Sequence, residues 1–152
     1  AQGRAAGTLS EICIKNAGIK TKIANAGAFL GLSKLVTTAG SNSYDITNQR
    51  LAACALCNLV ANHPGNKRLA KRLCLVSDLA SLLKHSEVME IQNAAASCIF
   101  NVVCKTDKED LEALEIMPLL RSIKSTARMI DTRLLCATNN PNEVASPAFG
   151  TF

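Results

Sequence analysis

The stretch LAACALCNLVA, residues 51–61, decides the fold of this chain. An Ala-Ala pair at residues 52–53 is followed by Leu56 and Leu59, so the apolar side chains recur with the 3.6-residue period of an α-helix. Small residues let two helices approach closely, and the leucines fill the space between them. The stretch therefore predicts a long helix packed tightly against its neighbours.

The same pattern occurs twice more, as RAAGTLSEICI at residues 4–14 and as AAASCIFNVVC at residues 94–104. The Ala pairs begin at residues 5, 52 and 95, which gives spacings of 47 and 43 residues, as in helical repeats of two or three helices. Each copy is followed by a turn, a short helix, a break near Gly27 or Pro118, and a second apolar helix. One such unit cannot bury its own apolar face, so units have to stack. The sequence predicts an all-α fold, a right-handed α-α superhelix of about three repeats plus a degenerate C-terminal one.

The predicted repeat domain covers residues 1–138, and residues 139–152 are interpreted as a flexible C-terminal tail. Polar residues 39–48 are interpreted as a loop, and Ser86 as the N-cap of the third long helix. The long helices that end each repeat are expected at about 3–16, 48–62, 90–105 and 126–138.

The composition excludes several classes of protein. The chain has 152 residues, of which 48% are hydrophobic, 19% charged and only 3% aromatic. This balance does not fit a β-sandwich, a collagen-like or disordered chain, or a disulfide framework. Its apolar runs are too short to span a membrane, and residues 1–9 lack the layout of a signal peptide. We expect a cytoplasmic protein, with the nucleus as the alternative compartment.

Seven scattered cysteines, an odd number, are best explained as reduced thiols in a helical core. Cys54 and Cys57 form a CxxC pair, but no second pair of ligands lies at a spacing that suits zinc. By its pattern this pair also lies mid-helix, whereas redox CxxC pairs lie at a helix N-terminus. We therefore expect no metal and no cofactor.

Charge is unevenly distributed along the chain. Residues 1–84 contain eleven Lys or Arg and three Asp or Glu, a balance of +8; residues 85–152 contain six and nine, a balance of −3. The densest basic stretch lies on one side of a predicted helix, and its simplest explanation is a solvated helix face. No aromatic residues for base stacking interleave with it, which argues against nucleic acid as a partner. This candidate basic patch consists of Lys67, Arg68, Lys71 and Arg72.

The sequence contains no pattern typical of an enzyme. It lacks the nucleophile elbow, the P-loop, the dinucleotide fingerprint and the HExxH motif. His63 precedes a proline in a turn and His85 lies in a predicted connection between helices, positions that need no catalytic role. We expect a non-enzymatic protein with no small-molecule substrate.

The long helices resemble the third helix of the armadillo repeat family, A-A-x-x-L-x-N-L. AACALCNL at residues 52–59 reproduces that pattern closely, AASCIFNV at residues 95–102 has Ile and Val variants, and AAGTLSEI at residues 5–12 has Glu in place of Asn. The resemblance covers about residues 4–123, with HEAT-type α-solenoids as the near relative.

This resemblance implies a binding scaffold whose third helices line a concave groove, with Asn side chains that hold the backbone of an extended partner peptide. We therefore expect a protein-protein interaction scaffold that binds an extended or helical segment of a partner protein in this groove. Asn58 and Asn101 match those asparagines, and Glu11 stands at the third equivalent position. One turn earlier the family's nuclear-import adaptors carry Trp, whereas this chain has small residues there, which argues against a nuclear localisation signal as ligand. The predicted partner-binding residues are Asn58, Asn101, Glu11, Arg50, Cys54, Asn93 and Ser97.

Three alternatives remain open at the level of sequence. The two asparagines can brace neighbouring helices instead of binding a ligand. The chain can be an interior structural segment of a longer solenoid with no ligand of its own, which its opening inside a helix pattern favours. The basic patch can bind nucleic acid or acidic lipid weakly.

Overall fold

The computed structural model of the chain describes residues 2–14, 16–38, 42–103, 112 and 114–123. Within these ranges the chain forms eight α-helices and no strand, which confirms the all-helical prediction. In chain order the helices are α1 (Gln2–Cys13), α2 (Ala17–Asn25), α3 (Ala28–Thr37), α4 (Ser43–Val60), α5 (Pro64–Arg72), α6 (Leu75–His85), α7 (Met89–Val102) and α8 (Met117–Ser122). None of these helices is long and apolar enough to cross a membrane.

Two of the short helices begin in the same way. The Asn16 side chain caps α2 by accepting a hydrogen bond from the backbone N–H of Ile19, and the His63 side chain caps α5 by accepting one from the backbone N–H of Asn66. Asn16 and His63 are separated by 47 residues, the spacing of the first two Ala pairs. A side-chain acceptor satisfies a backbone donor that the first helical turn leaves unpaired. These two helices, 47 residues apart, therefore begin with the same type of side-chain cap.

The breaks that follow these helices are also equivalent. Gly27 has a φ of 82° between α2 and α3, and Cys74 has a φ of 55° between α5 and α6. Both residues adopt the left-handed conformation, which ends one helix and redirects the chain into the next. Gly27 lies at the break predicted from the sequence, whereas Cys74 adopts the same conformation with a Cβ atom.

The long helices begin and end earlier than predicted. Helix α4 begins at Ser43, because Asn42 accepts hydrogen bonds from the backbone N–H groups of Tyr44 and Asp45, so residues 43–48 of the predicted loop 39–48 are helical. The predicted ends at 16, 62 and 105 become Cys13, Val60 and Val102. After the first two, the chain turns into a short helix that begins four residues later, at Ala17 and at Pro64. The predicted N-cap at Ser86 was wrong; the N-cap of α7 is Val88. The predicted long helix at 126–138 and the tail 139–152 lie outside the described residues.

Helices three apart in the chain pack against each other: α1 contacts α4, α2 contacts α5, α3 contacts α6, and α4 contacts α7. Helix α4 therefore lies between α1 and α7. The Ala pairs at 52–53 and 95–96 are fully buried, as are Leu56, Leu59 and Ile99. The close packing predicted from the small residues is confirmed for α4 and α7.

Candidate functional site

The residues predicted to bind a partner lie on α1, α4 and α7, the three long helices that pack in chain order. Glu11 and Arg50 are exposed, whereas Cys54, Asn58, Asn93 and Ser97 are half-buried and Asn101 is only 8% exposed. They recur at one-turn spacing and at equivalent positions of successive helices, so we call them, together with Gly7, the stripe.

Two of the three stripe asparagines, Asn58 and Asn101, donate hydrogen bonds to the preceding long helix. The Asn58 Nδ2 atom donates to the Ser10 carbonyl oxygen at 3.2 Å and to the Ser10 Oγ atom at 2.8 Å. The Asn101 Nδ2 atom donates to the Cys57 Sγ atom at 3.3 Å. Ser10 and Cys57 occupy equivalent positions in α1 and α4, so the same link joins each pair of long helices. These amide donors therefore brace the stack, and none of the three bonds uses an amide oxygen.

The middle of the stripe carries small side chains. Gly7, Cys54 and Ser97 stand at equivalent positions one turn before Glu11 and the two asparagines, and all three are half-buried. Burial raises the pKa of the Cys54 thiol, although the nearby Arg50 opposes that shift, so this thiol is neutral at physiological pH. A row of small and uncharged side chains leaves room for the backbone of an extended segment to approach the helices.

A cleft that sequence reasoning missed lies at the N-terminal ends of α1 and α4. It has a volume of about 510 Å³. The helices approach closely here, because a Cβ atom on Gly3 would lie 1.8 Å from the Asn48 Oδ1 atom. Tyr44 is 59% exposed at its edge. Tyr44, Thr47 and Leu51 recur at helical spacing in the sequence and could have indicated this helix face. They were overlooked because residues 39–48 were predicted to form a loop. The lining residues are Gly3, Arg4, Ser43, Tyr44, Thr47, Asn48 and Leu51.

Two buried polar residues, also missed, join the short helices to the C-terminal end of α4. The Lys20 Nζ atom donates to the Ala61 carbonyl oxygen at 2.7 Å, and the Asn66 Nδ2 atom donates to the Leu59 carbonyl oxygen at 2.9 Å. Burial lowers the pKa of Lys20, with smaller opposing effects of Cys13 and Cys57. A cation at a helix C-terminus is favoured by the helix dipole, which offsets part of the cost of burial. Both residues lie about one turn after an N-cap, a position that could have signalled this role.

The candidate basic patch lies on α5. Arg68, Lys71 and Arg72 are exposed there and Lys67 is half-buried. The helix contains no acidic residue of its own. Three of the four basic side chains are therefore exposed on one helix.

The cysteines and histidines of the described ranges lie within helices or at helix ends. The five cysteines within the described ranges are free, and no group of His, Cys, Asp and Glu there could hold a metal ion. Cys54 and Cys57 lie inside α4 rather than at its N-terminus. His63 caps α5, and His85 is the last residue of α6 rather than part of a connection, with its Nδ1 atom 2.8 Å from the Ser81 carbonyl oxygen.

In comparisons with known proteins, no family model, no curated protein and no solved structure matches this chain significantly. The resemblance to armadillo repeats therefore remains a prediction from the repeated sequence pattern.

Proposed function

We propose that this chain is a helical-repeat scaffold, a right-handed armadillo-like superhelix, that binds an extended segment of a partner protein along the stripe. The observation that carries the proposal is the equivalent exposure of Gly7, Cys54 and Ser97 on three successive long helices. The pairing of every helix from α1 to α4 with the helix three further along supports the repeated arrangement.

The chemistry of the stripe suits a peptide backbone better than a small molecule. Its small side chains leave space for a main chain, and amide oxygens not used by the bracing bonds can accept hydrogen bonds from peptide N–H groups. Arg50 and Glu11 supply one positive and one negative side chain, which can set the direction of a charged segment. The cleft beside Tyr44 offers space for one large partner side chain.

Photo-crosslinking tests this proposal. A benzoylphenylalanine placed at Ser97 should capture the partner in cells, and mass spectrometry identifies the captured protein. The matched control places the same group at Ser77, an equally small residue that is exposed on α6. Cys54→Arg should then reduce capture from position 97 by at least about tenfold, because a long charged side chain fills the stripe. Ser77→Arg should leave that capture unchanged.

The braced asparagines are unsuitable for this test, because their loss weakens contacts between helices. A circular dichroism melt of each variant separates loss of binding from loss of folding. Equal crosslinking from positions 97 and 77, or capture that survives Cys54→Arg in a folded variant, would refute the proposed groove.

A second candidate function is a structural one, in which the chain is a segment of a longer solenoid without its own ligand. The bracing bonds of Asn58 and Asn101 favour it, since both amide groups already join long helices. Absence of any crosslinked partner at positions 54 and 97, in cells that express the folded chain, is the result this candidate requires.

A further inference from the structure

Arg68 and Arg72 are exposed on α5 and lie one helical turn apart, so both side chains project from the same side of the helix. Neither side chain forms an ion pair or a hydrogen bond with another described residue. Helix α5 contains no Asp or Glu, and neither does α2, which packs against it. Two guanidinium groups are thus presented together, with no carboxylate from either helix. We call these two residues the Arg pair.

The helix that carries the Arg pair is fixed within the stack. It contacts α2 and α4, which precede it, and α6 and α7, which follow it. On its inner side Asn66 is buried, and the Asn66 Nδ2 atom donates to the carbonyl oxygens of Leu59 at 2.9 Å and Lys20 at 3.4 Å. The Arg pair therefore lies on the outer side of a helix that has neighbours both before and after it in the chain.

Helix α2 adds short neutral side chains and one further positive charge. Thr21 and Asn25 lie 47 residues before the two arginines, at the equivalent positions of the preceding repeat, and both are exposed. The Thr21 Oγ1 atom is 3.0 Å from the His63 Nε2 atom at the start of α5, which joins the two helices. Lys22 is also exposed on α2. The neutral side chains of α2 do not neutralise the Arg pair.

A carboxylate carried on an extended polypeptide matches this arrangement. Each guanidinium group can donate two parallel hydrogen bonds to one carboxylate. Residues four apart on a helix have Cβ atoms about 5–6 Å apart. Alternate residues of an extended chain project from the same side and are about 6.4–6.8 Å apart. An extended segment with Asp or Glu at alternate positions can therefore bring one carboxylate to each arginine.

Nucleic acid and membrane match the surface less well. Helices α2 and α5 contain no aromatic residue on which a base could stack. A helix that binds at a membrane interface carries large apolar side chains that enter the bilayer, and the exposed positions within α2 and α5 have none. Carboxylates are therefore the favoured partner chemistry.

We infer that the Arg pair is a docking site for an extended acidic segment of another protein, with one carboxylate on each guanidinium group. The Arg pair lies on α5, whereas the stripe lies on α1, α4 and α7. The inference therefore does not depend on the proposed function.

A labelled peptide of about eight residues, with Glu and Ser in alternation, serves as the probe. Its fluorescence anisotropy is measured against the full 152-residue chain. We expect saturable binding that weakens as salt is added, because exposed charges are screened. Arg68→Gln with Arg72→Gln should weaken the binding by at least about tenfold, since two charge-assisted contacts are lost. The matched control, Lys34→Gln with Arg50→Gln, removes the same charge from exposed residues of α3 and α4 and should change the affinity by less than about twofold.

A second variant separates hydrogen-bond geometry from charge. Arg68→Lys with Arg72→Lys keeps both charges but removes the planar fork, and should weaken the binding by at least about threefold. All of these substitutions are at exposed positions, so circular dichroism should show a folded chain in each case.

Four results would overturn the inference. The first is no saturable binding at peptide concentrations up to about 1 mM. The second is equal weakening by the control variant, and the third is full affinity of the lysine variant; either would show a general attraction between charges. The fourth is tighter binding of an oligothymidylate or of phosphatidylserine vesicles that the glutamine variant abolishes, which would assign the Arg pair to phosphate. Loss of the groove crosslinks described above would affect none of these measurements.

Discussion

Cys57 shows how one buried residue links two long helices. Its Sγ atom accepts a hydrogen bond from the Asn101 side chain, 44 residues further along the chain. Burial raises the pKa of this thiol to about 11, the Asn101 hydrogen bond and Lys20 lower it, and Cys54 raises it further. The neutral thiol is therefore part of the native packing, because a thiolate at this position would lose its hydration.

We predict that the free energy of unfolding falls as pH rises from about 9 to about 11. The unfolded chain loses the Cys57 proton near the ordinary pKa of 9.0, whereas the folded chain keeps it until about pH 11. Alkaline pH therefore favours the unfolded chain, by roughly 2 to 3 kcal/mol for this one thiol. Burial of Cys13, Cys54 and Cys98 acts in the same direction, since it raises the pKa of each thiol.

Lys20 acts in the opposite direction, because its pKa is lowered in the folded chain and its native form loses a proton first as pH rises. The combined effect of the thiols and Lys20 on the free energy of unfolding is measured by urea unfolding at several pH values between 8 and 11, an experimental range around the thiol pKa values. Cys57→Ala should flatten the decline, whereas Cys74→Ala, a change at an exposed thiol, should not. A decline of the same slope in both variants would contradict the assignment to Cys57.

At the level of elements, the helix pairs α2–α3 and α5–α6 have the same local architecture. A side-chain N-cap opens each pair, and a left-handed residue lies between its two helices. The two pairs differ in the residue at that break, which is Gly27 in the first and Cys74 in the second. A residue with a Cβ atom pays a conformational cost in the left-handed region that glycine does not.

We predict that Cys74→Gly raises the free energy of unfolding by about 1 kcal/mol and that Gly27→Ala lowers it by a similar amount. No atom lies within 4 Å of a Cβ placed on Gly27, so the second effect is conformational rather than a clash. Cys74→Ala is the control, because it removes the thiol and keeps the Cβ atom. Denaturant titrations measure all three, and equal stabilisation by Cys74→Gly and Cys74→Ala would show that the thiol, not the backbone, is responsible.

At the scale of the molecule, stability should be graded along the stack. Helix α4 contacts α1, α3, α5 and α7, whereas the main contacts of α1 are with α2 and α4. Local unfolding is easiest where few apolar contacts have to break. The exposure of Ala5, Thr8 and Ile12 on α1 identifies this helix as the weakest of the three long ones.

We predict that amide hydrogens exchange fastest in α1, slower in α7 and slowest in α4. Hydrogen exchange of the full chain, followed by mass spectrometry under native conditions, measures this order. Helices α4 and α7 carry the same residue pattern as α1 and serve as internal controls. A difference in exchange rate between them therefore reflects how much of each helix is covered by its neighbours, and not its intrinsic helix propensity. Protection of α1 equal to that of α4 would contradict a graded stack.

Much of the fold could be predicted because helical periodicity is a local property. The all-helical class, the phase of the long helices and the break at Gly27 all follow from residues within two turns of one another. The start of α4 was missed because Asn42, a turn-forming residue, caps a polar stretch that also forms helix. The residues of the stripe could be identified from the repeated sequence pattern alone. How exposed each of them is could not be predicted in that way.

Sequence by itself determined which residues lie on a common helix face and that three faces of this chain are equivalent. Only the tertiary structure decided that Asn101 is nearly buried against Cys57, that Lys20 is buried at the end of α4, and that Ile12 is exposed while Leu59 is not. The physical reason is distance along the chain. A helix face follows from neighbours a few residues away, whereas burial is set by helices that pack against it from 40 or so residues away, as in the repeat spacing itself.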